Sequence, residues 1–452
     1  MRPLLVFAAC ALAAHAASPR LVRYGDVPES LRPELASLGA DTRSFESSLR
    51  RLADRTRERV TQGEEEHLVY YVLQSSRFTR RPRIEPGESA RAFVDSLAPA
   101  ERERFLNTGE TPACERVPVA ASARMRDFLA SPARRDERAE YLQGFVRARA
   151  HGRTLEYLCS AYGRAMRFLY SKEFAARGPA EVESLYTERG HSTDTSVEAN
   201  FAVYNAVGAL HGIDPAFACR RLLVVGPGLD FAPRTDLVDV FPPQSHQPFA
   251  IADSLIALGA ASGADLAVDC ADVNPRVIRF FDELPRRASV ELALFTGARE
   301  TGGRDFTEDF KDYFQQLGRR VGVEHPLRSP APALAGRLAK RIAVHPDVVR
   351  RIRAQALDIV TERYEPAPGY DLVVATNVLT YFAGPELGLA LANIASMLRD
   401  GGYLIHNDAR PAVLDLAGRA GLRPLDCRTV LIARGGERPL YDAACVLRKS
   451  SR

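Results

Sequence analysis

Leu222-Leu223-Val224-Val225-Gly226-Pro227-Gly228-Leu229-Asp230-Phe231 is a run of apolar β-formers that ends in a glycine turn. The pattern predicts a strand whose end lets a ligand approach the backbone, because glycine puts no side chain in the way. A dinucleotide fingerprint would have a third glycine where Phe231 stands, and Asp230 would repel a pyrophosphate. A carboxylate in the turn suits instead a ligand bearing an ammonium and a sulfonium. None of the four lysines follows a glycine, so the chain has no phosphate loop of the G-K-[ST] type.

Further apolar runs fall into place around this strand. Leu266–Ala271 predicts a second strand, ending in Asp272-Val273-Asn274-Pro275. An acidic residue at that point can accept hydrogen bonds from ribose hydroxyls; the bland alternative is a cap on the helix near Pro275. Asp371–Thr376 and Tyr403–His406 read as later strands, and Arg428–Ala433 with Ala443–Leu447 as a closing antiparallel pair. Strands alternating with helical stretches imply βα units and a parallel sheet. The stretch from Arg276 to Thr361 is too long for a plain connection and reads as an insertion at about 276–355. Residues 17 to about 220 are mostly helical by their apolar period, over Arg43–Val60, Glu64–Gln74, Ala98–Leu106 and Arg138–Tyr170. The expected architecture is α/β: a Rossmann-like sheet in 191–452, preceded by a mostly α-helical domain in 17–190.

Residues 1–16 read as a secretory signal peptide. A basic start leads into an apolar run, and Ala14-His15-Ala16 fits a cleavage site before Ala17. No later segment is long and apolar enough to span a membrane. The balance of 61 basic against 57 acidic residues gives a net charge of +4, which does not call for nucleic acid as a partner. Six cysteines follow residue 16, without C-x-x-C or zinc-ligand spacing, so no metal site is expected. Their number permits disulfides without requiring them. Cys219, Cys270 and Cys445 sit in or beside apolar runs and read as small core residues.

Tyr370-Asp371-Leu372-Val373-Val374-Ala375-Thr376-Asn377-Val378-Leu379-Thr380-Tyr381-Phe382, then Met397-Leu398-Arg399-Asp400-Gly401-Gly402-Tyr403-Leu404, resemble the class I S-adenosylmethionine-dependent methyltransferases. The stretch Asn377–Phe382 is most similar to the CheR-type methyltransferases. The resemblance covers about half the chain, from Arg220 onward. It implies S-adenosylmethionine as cofactor, with Gly226, Gly228 and Asp230 against its methionine part and Asp272 on the ribose beside Asn274. It implies that Asp358, in Leu357-Asp358-Ile359, meets the adenine amino group, and that Asn377 and Val378 face the cofactor and the substrate pocket. Val224 departs from the family, which often has an acidic residue there. The insertion and the helical domain lie outside the resemblance.

Arg189-Gly190-His191-Ser192-Thr193-Asp194-Thr195-Ser196-Val197-Glu198 precedes the first strand by one helix. Thr195-x-x-Glu198 reads as a capping box. A helix from Val197 to Leu210, packed antiparallel to the strand, would bring His191 and Asp194 to the strand's ligand-binding edge. His191 is the candidate catalytic base. The expected function is methyl transfer to an unidentified small-molecule or protein acceptor. The alternative is a non-catalytic module that binds S-adenosylmethionine or a nucleotide. Export follows from the signal peptide, while use of a cytoplasmic cofactor favours the cytoplasm.

Overall fold

The computed structural model describes residues 17–39, 42–132, 136–232, 236–327, 332–436 and 439–451; the expected signal peptide lies outside them. Strand β1 (Ser18–Leu21) is followed by helices α1 (Thr42–Gln74), α2 (Pro86–Ser96), α3 (Pro99–Thr108), α4 (Val119–Ala130), α5 (Glu137–Arg149), α6 (Thr154–Tyr170) and α7 (Pro179–Glu188). Helix α8 (Val197–Ile213) then leads into β2 (Arg221–Val225), α9 (Gln247–Ala257), β3 (Ala267–Asp272) and α10 (Pro275–Glu283). Next come β4 (Glu291–Phe295), β5 (Arg304–Phe306), α11 (Glu308–Gln316), β6 (Gly322–His325), β7 (Ala339–Val344), α12 (Pro346–Arg351), β8 (Ile352–Ala356) and β9 (Glu362–Glu365). The chain closes with β10 (Tyr370–Ala375), α13 (Gly384–Met397), β11 (Leu398–His406), α14 (Pro411–Arg419), β12 (Leu422–Gly435) and β13 (Leu440–Lys449).

The main sheet has the order β8-β3-β2-β10-β11-β13-β12-β5. Its first five strands are parallel, and β13, β12 and β5 add antiparallel. This is a Rossmann-like sheet, closed by an antiparallel pair. Alternate residues of β2 point to opposite faces: Leu222 and Val224 into one core, Leu223 and Val225 into the other. Both faces are covered, which explains an unbroken apolar run in place of alternation. Helices α8, α9 and α10 cover one face and α13 and α14 the other. From β2 the chain runs through β3 and β8 to one side, then through β10 and β11 to the other. The reversal opens a crevice at the strands' C-terminal ends.

Several boundaries differ from the sequence reading. Helix α1 is continuous across Gln62-Gly63-Glu64-Glu65-Glu66, where polar composition suggests a break. The stretch Arg138–Tyr170 is two helices, divided at His151 (φ +46°) and Gly152 (φ +86°). Part of the expected insertion belongs to the sheet: α10 is a crossover helix and β8 the edge strand beside β3. The remainder forms a small antiparallel sheet, β4-β7-β6, while β5 extends the main one. The N-terminal stretch before α1 is not helical-domain material. Strand β1 pairs with β9, and Val22, Val27, Leu31 and Leu35 join the sheet's own core. Cys445 is not a free core residue: it is bonded to Cys427, its cross-strand partner, and Cys114 is bonded to Cys159. Cys219 and Cys270 are free and buried. Among the described residues no helix is long and apolar enough to cross a membrane.

Candidate functional site

A cleft with roughly 820 Å³ of free space, partly open to solvent, lies at the C-terminal ends of β2, β3 and β10. Gly226, Gly228, Asp272, Asn274, Asp358, Ile359, Asn377, Val378 and His191 all line it. Asp230 does not.

The turn after β2 is built for close approach. Gly226 and Gly228 have φ of +65° and +70°, which side-chain-bearing residues rarely adopt. A Cβ on Gly228 would run into the Thr193 carbonyl and the Thr195 methyl group. The reason is a two-way tie: the Leu229 amide donates to the Thr193 carbonyl (2.6 Å), and the Thr193 hydroxyl donates to the Leu229 carbonyl (2.8 Å). The segment 191–196 is thereby laid along the glycine turn. Gln247, at the start of α9, secures the other side. With its side-chain amide turned so that both ends are satisfied, its nitrogen donates to the Gly226 carbonyl (3.1 Å) and its oxygen accepts from the Thr376 hydroxyl.

Asp230 turns away from the cleft. Its Oδ1 accepts from the Thr195 amide (3.0 Å) and hydroxyl (2.9 Å), and that hydroxyl also meets His246 Nε2 (2.9 Å). Burial pushes the Asp230 carboxyl up to about 7, against the pull of those Thr195 bonds. With Thr195 so occupied, the capping box read from the sequence does not form. Ser196 caps α8 instead, accepting from the Ala199 amide (3.0 Å), and Glu198 turns inward to the Ala298 amide (3.0 Å).

Asp272 remains on the cleft wall at the end of β3. Its Oδ1 accepts from the Asn274 amide (2.8 Å), while burial pushes the carboxyl up to about 6. Asn274 caps α10 through the Arg276 amide (2.9 Å). Asp358 caps its own turn through Oδ1 and the Val360 amide (3.0 Å), leaving Oδ2 buried without a partner. Asn377 follows β10 with φ +57°, a left-handed conformation that Asn tolerates better than most residues. Asn407 holds it there, accepting from its amide and donating to its side-chain oxygen, both at 2.8 Å.

The part of α1 from Arg59 to His67 builds the roof. Gly63 passes so close to the His191 backbone carbonyl that a Cβ would collide with it. Arg59 donates to the carbonyls of Arg189 (2.9 Å), Tyr186 (3.0 Å) and Tyr381 (3.1 Å). The four residues Glu64 to His67 reach α10, α6 and the α7–α8 connection. Glu64 takes Arg276 (2.8 Å) and Asn274 (2.7 Å); Glu65 takes Arg164 and Tyr157. Glu66 takes Arg189 (2.6 Å), and His67 faces Asp194 (3.3 Å). All four are buried, so they are tied to partners and not to solvent. Burial would raise the Glu64 carboxyl, but Arg276 and His67 outweigh it and hold it well below the usual range.

His191 stacks on Tyr381, with centroids 4.9 Å apart, and its Nε2 is buried without a partner. Burial first, then Arg59 and Arg189, push its imidazolium down to about 3. The ring is therefore neutral at physiological pH. It accepts hydrogen bonds but is a weak base, since it holds a proton only in strong acid.

Sequence reasoning missed Thr56, Arg59, Gly63, Glu64 and Gln247. Charged residues in a polar helical stretch look solvated unless their partners are known. The one available signal was Gly63, a helix-weakening residue in mid-helix.

No protein-family model matches the sequence. No curated protein matches it. Solved structures resemble part of it. A TehB-like SAM-dependent methyltransferase from Corynebacterium glutamicum is similar at 13% identity, over 55% of this chain and 88% of its own, with a TM-score of 0.26. N-methyltransferase NodS from Bradyrhizobium japonicum, in complex with S-adenosyl-L-homocysteine, is similar at 14% identity, over 55% and 86%, with a TM-score of 0.28. Magnesium protoporphyrin IX methyltransferase from Synechocystis, with bound SAM, is similar at 13% identity, over 62% and 94%, with a TM-score of 0.26.

Proposed function

We propose that the chain binds S-adenosylmethionine in this cleft and transfers its methyl group to an acceptor. One observation carries the reading: residues from seven segments far apart in sequence wall a single crevice where the strand order reverses. Their chemistry fits the cofactor. The glycine turn offers bare backbone to the methionine part. Asp272 accepts from the ribose hydroxyls. The unpartnered Asp358 Oδ2 accepts from an adenine amino group, with Ile359 and Val378 as apolar walls. When bound, the cofactor supplies an electrophilic methyl group. The protein's part is then to hold an acceptor in line with it, which can provide much of the rate.

Neutral His191 sharpens the acceptor class. A base so weak does little for a nucleophile that arrives protonated. An acceptor already deprotonated at neutral pH, such as a carboxylate, needs no base. The resemblance of Asn377–Phe382 to CheR-type enzymes leans the same way. His191 then serves as a hydrogen-bond acceptor that orients the ligand.

The second reading is a binding module without turnover. It is favoured by the two disulfides, which persist in oxidising compartments where this cytoplasmic cofactor is not made. With the signal peptide expected from the sequence of residues 1–16, they support export. Incubation with methyl-labelled S-adenosylmethionine and a pool of acidic peptides separates the two. Label transfer supports the enzyme, and S-adenosylhomocysteine binding without transfer supports the module. Tighter binding of NAD than of either ligand would sink the methyltransferase reading and leave a nucleotide-binding module. Mass spectrometry of the protein from its native host tests export, which predicts a mature chain beginning at Ala17.

A further inference from the structure

We propose that a second cleft, beside the first, is a binding site for a small anionic ligand bearing phosphate or carboxylate groups. It lies between the helical half and the sheet, walled by one face each of α1 and α5, the first turns of α10 and the β8–β9 connection. It has roughly 1260 Å³ of free space, partly open to solvent, and shares Thr56, Val273, Asn274, Leu357 and Asp358 with the first cleft.

The floor carries hydrogen-bonding groups that the protein does not satisfy. Arg276 has a side chain only 8% exposed, and Glu64 engages its Nε and Nη2. Its Nη1 is buried without a partner. Thr361 is fully buried, and its hydroxyl also lacks a partner. Buried polar groups are nearly always matched, so an orphaned donor and hydroxyl lining one cleft point to a bound group that accepts from them.

The rim supplies the charge. Arg149 and Arg279 are exposed at the mouth, and neither forms an ion pair or hydrogen bond among the described residues. The Arg149 guanidinium lies 4.0 Å from the Phe145 ring centroid, a stacking contact that keeps it over the opening. Of the cleft's acidic groups, all but Asp358 Oδ2, the oxygen assigned above to the adenine amino group of the first cleft, are engaged within the protein. Glu64 holds Arg276 and Asn274, Asp358 Oδ1 caps Val360, and Glu362 accepts from the Asp358 amide (3.0 Å). Against that one oxygen stand three guanidinium groups, those of Arg149, Arg276 and Arg279, whose planar donor pairs suit carboxylate and phosphate oxygens. The inference does not depend on methyl transfer, because the arginines face a different opening from His191 and the glycine turn.

The test uses the full mature chain with two probes, pyrophosphate and citrate, titrated at constant ionic strength against a chloride control. Arg149→Ala and Arg279→Ala alter exposed side chains, and Thr361→Val keeps its shape. At least one probe binds at one site and raises Tm above the chloride control. Each arginine variant weakens that binding tenfold or more while changing S-adenosylhomocysteine binding less than twofold. Thr361→Val weakens it severalfold without lowering Tm, whereas a merely structural hydroxyl would lower Tm. The proposal is overturned if neither probe stabilises the protein beyond chloride, or if the arginine variants bind as the wild type does. S-adenosylhomocysteine binding, measured in the same samples, reports separately on the first cleft.

Discussion

The two halves of the molecule meet at one cleft but build it by different means. The α/β half contributes backbone: a left-handed glycine turn, strand ends, and capping carboxylates fixed by their own loops. The helical half contributes buried charge, four consecutive side chains of α1 tied to α10, α6 and the α7–α8 connection. Backbone devices demand particular residues at fixed spacing. Buried charge pairs demand only a partner, and the partner can sit anywhere in the chain.

The largest test of that contrast removes one of the pairs. Glu64→Ala leaves the Arg276 guanidinium buried and uncompensated, and should cost about 3–5 kcal/mol in urea unfolding. A loss below about 1 kcal/mol would mean that α1 is a peripheral cover. Gly63→Ala is a test of sign. In an ordinary helix interior it stabilises by about 1 kcal/mol. Here the new methyl group meets the His191 carbonyl, and overpacking should destabilise by about 1–3 kcal/mol. A rise in Tm would separate α1 from the 191–196 segment.

These two residues also mark where the sequence stopped being legible. The strand leading into Gly226 and the acidic end of the next strand can each be read locally, because each needs its residue type for a backbone reason. Strand β8 cannot: Ile352-Arg353-Ala354-Gln355-Ala356 is an edge strand, half polar, and resembles a loop. The Glu64-Glu65-Glu66-His67 run resembles a solvated helix face for the same lack of local signal. Thr195 misleads in a different way. Its motif fits a cap, but tertiary bonds to Asp230 and His246 override the local preference and move the cap to Ser196.

The carboxylates of the α/β half give the next tests. Asp272→Ala should weaken S-adenosylhomocysteine binding by about 1.5–3 kcal/mol, the worth of charge-assisted hydrogen bonds, with Tm little changed. The pH dependence follows from the raised carboxyl of the free protein, at about 6. Ribose hydroxyls that donate to the carboxylate lower that value on binding, so a proton is released below pH 6. Affinity should therefore tighten as pH rises from 5 to 7, and Asp272→Asn should flatten the slope. A wild-type affinity that is flat or falls over this range would put the ribose elsewhere. Asp230→Asn should have the smallest effect, less than twofold in binding, because that carboxylate faces Thr195 and not the cleft. A tenfold loss would restore Asp230 to the methionine part of the cofactor.

That both halves form one cofactor site is tested most directly by amide hydrogen exchange of the full chain with and without S-adenosylhomocysteine. The structure predicts slowed exchange in three places at once: the glycine turn at 226–230, the 191–196 segment, and residues 56–67 of α1. Protection confined to the strand ends of the α/β half, with α1 and 191–196 unchanged, would contradict it.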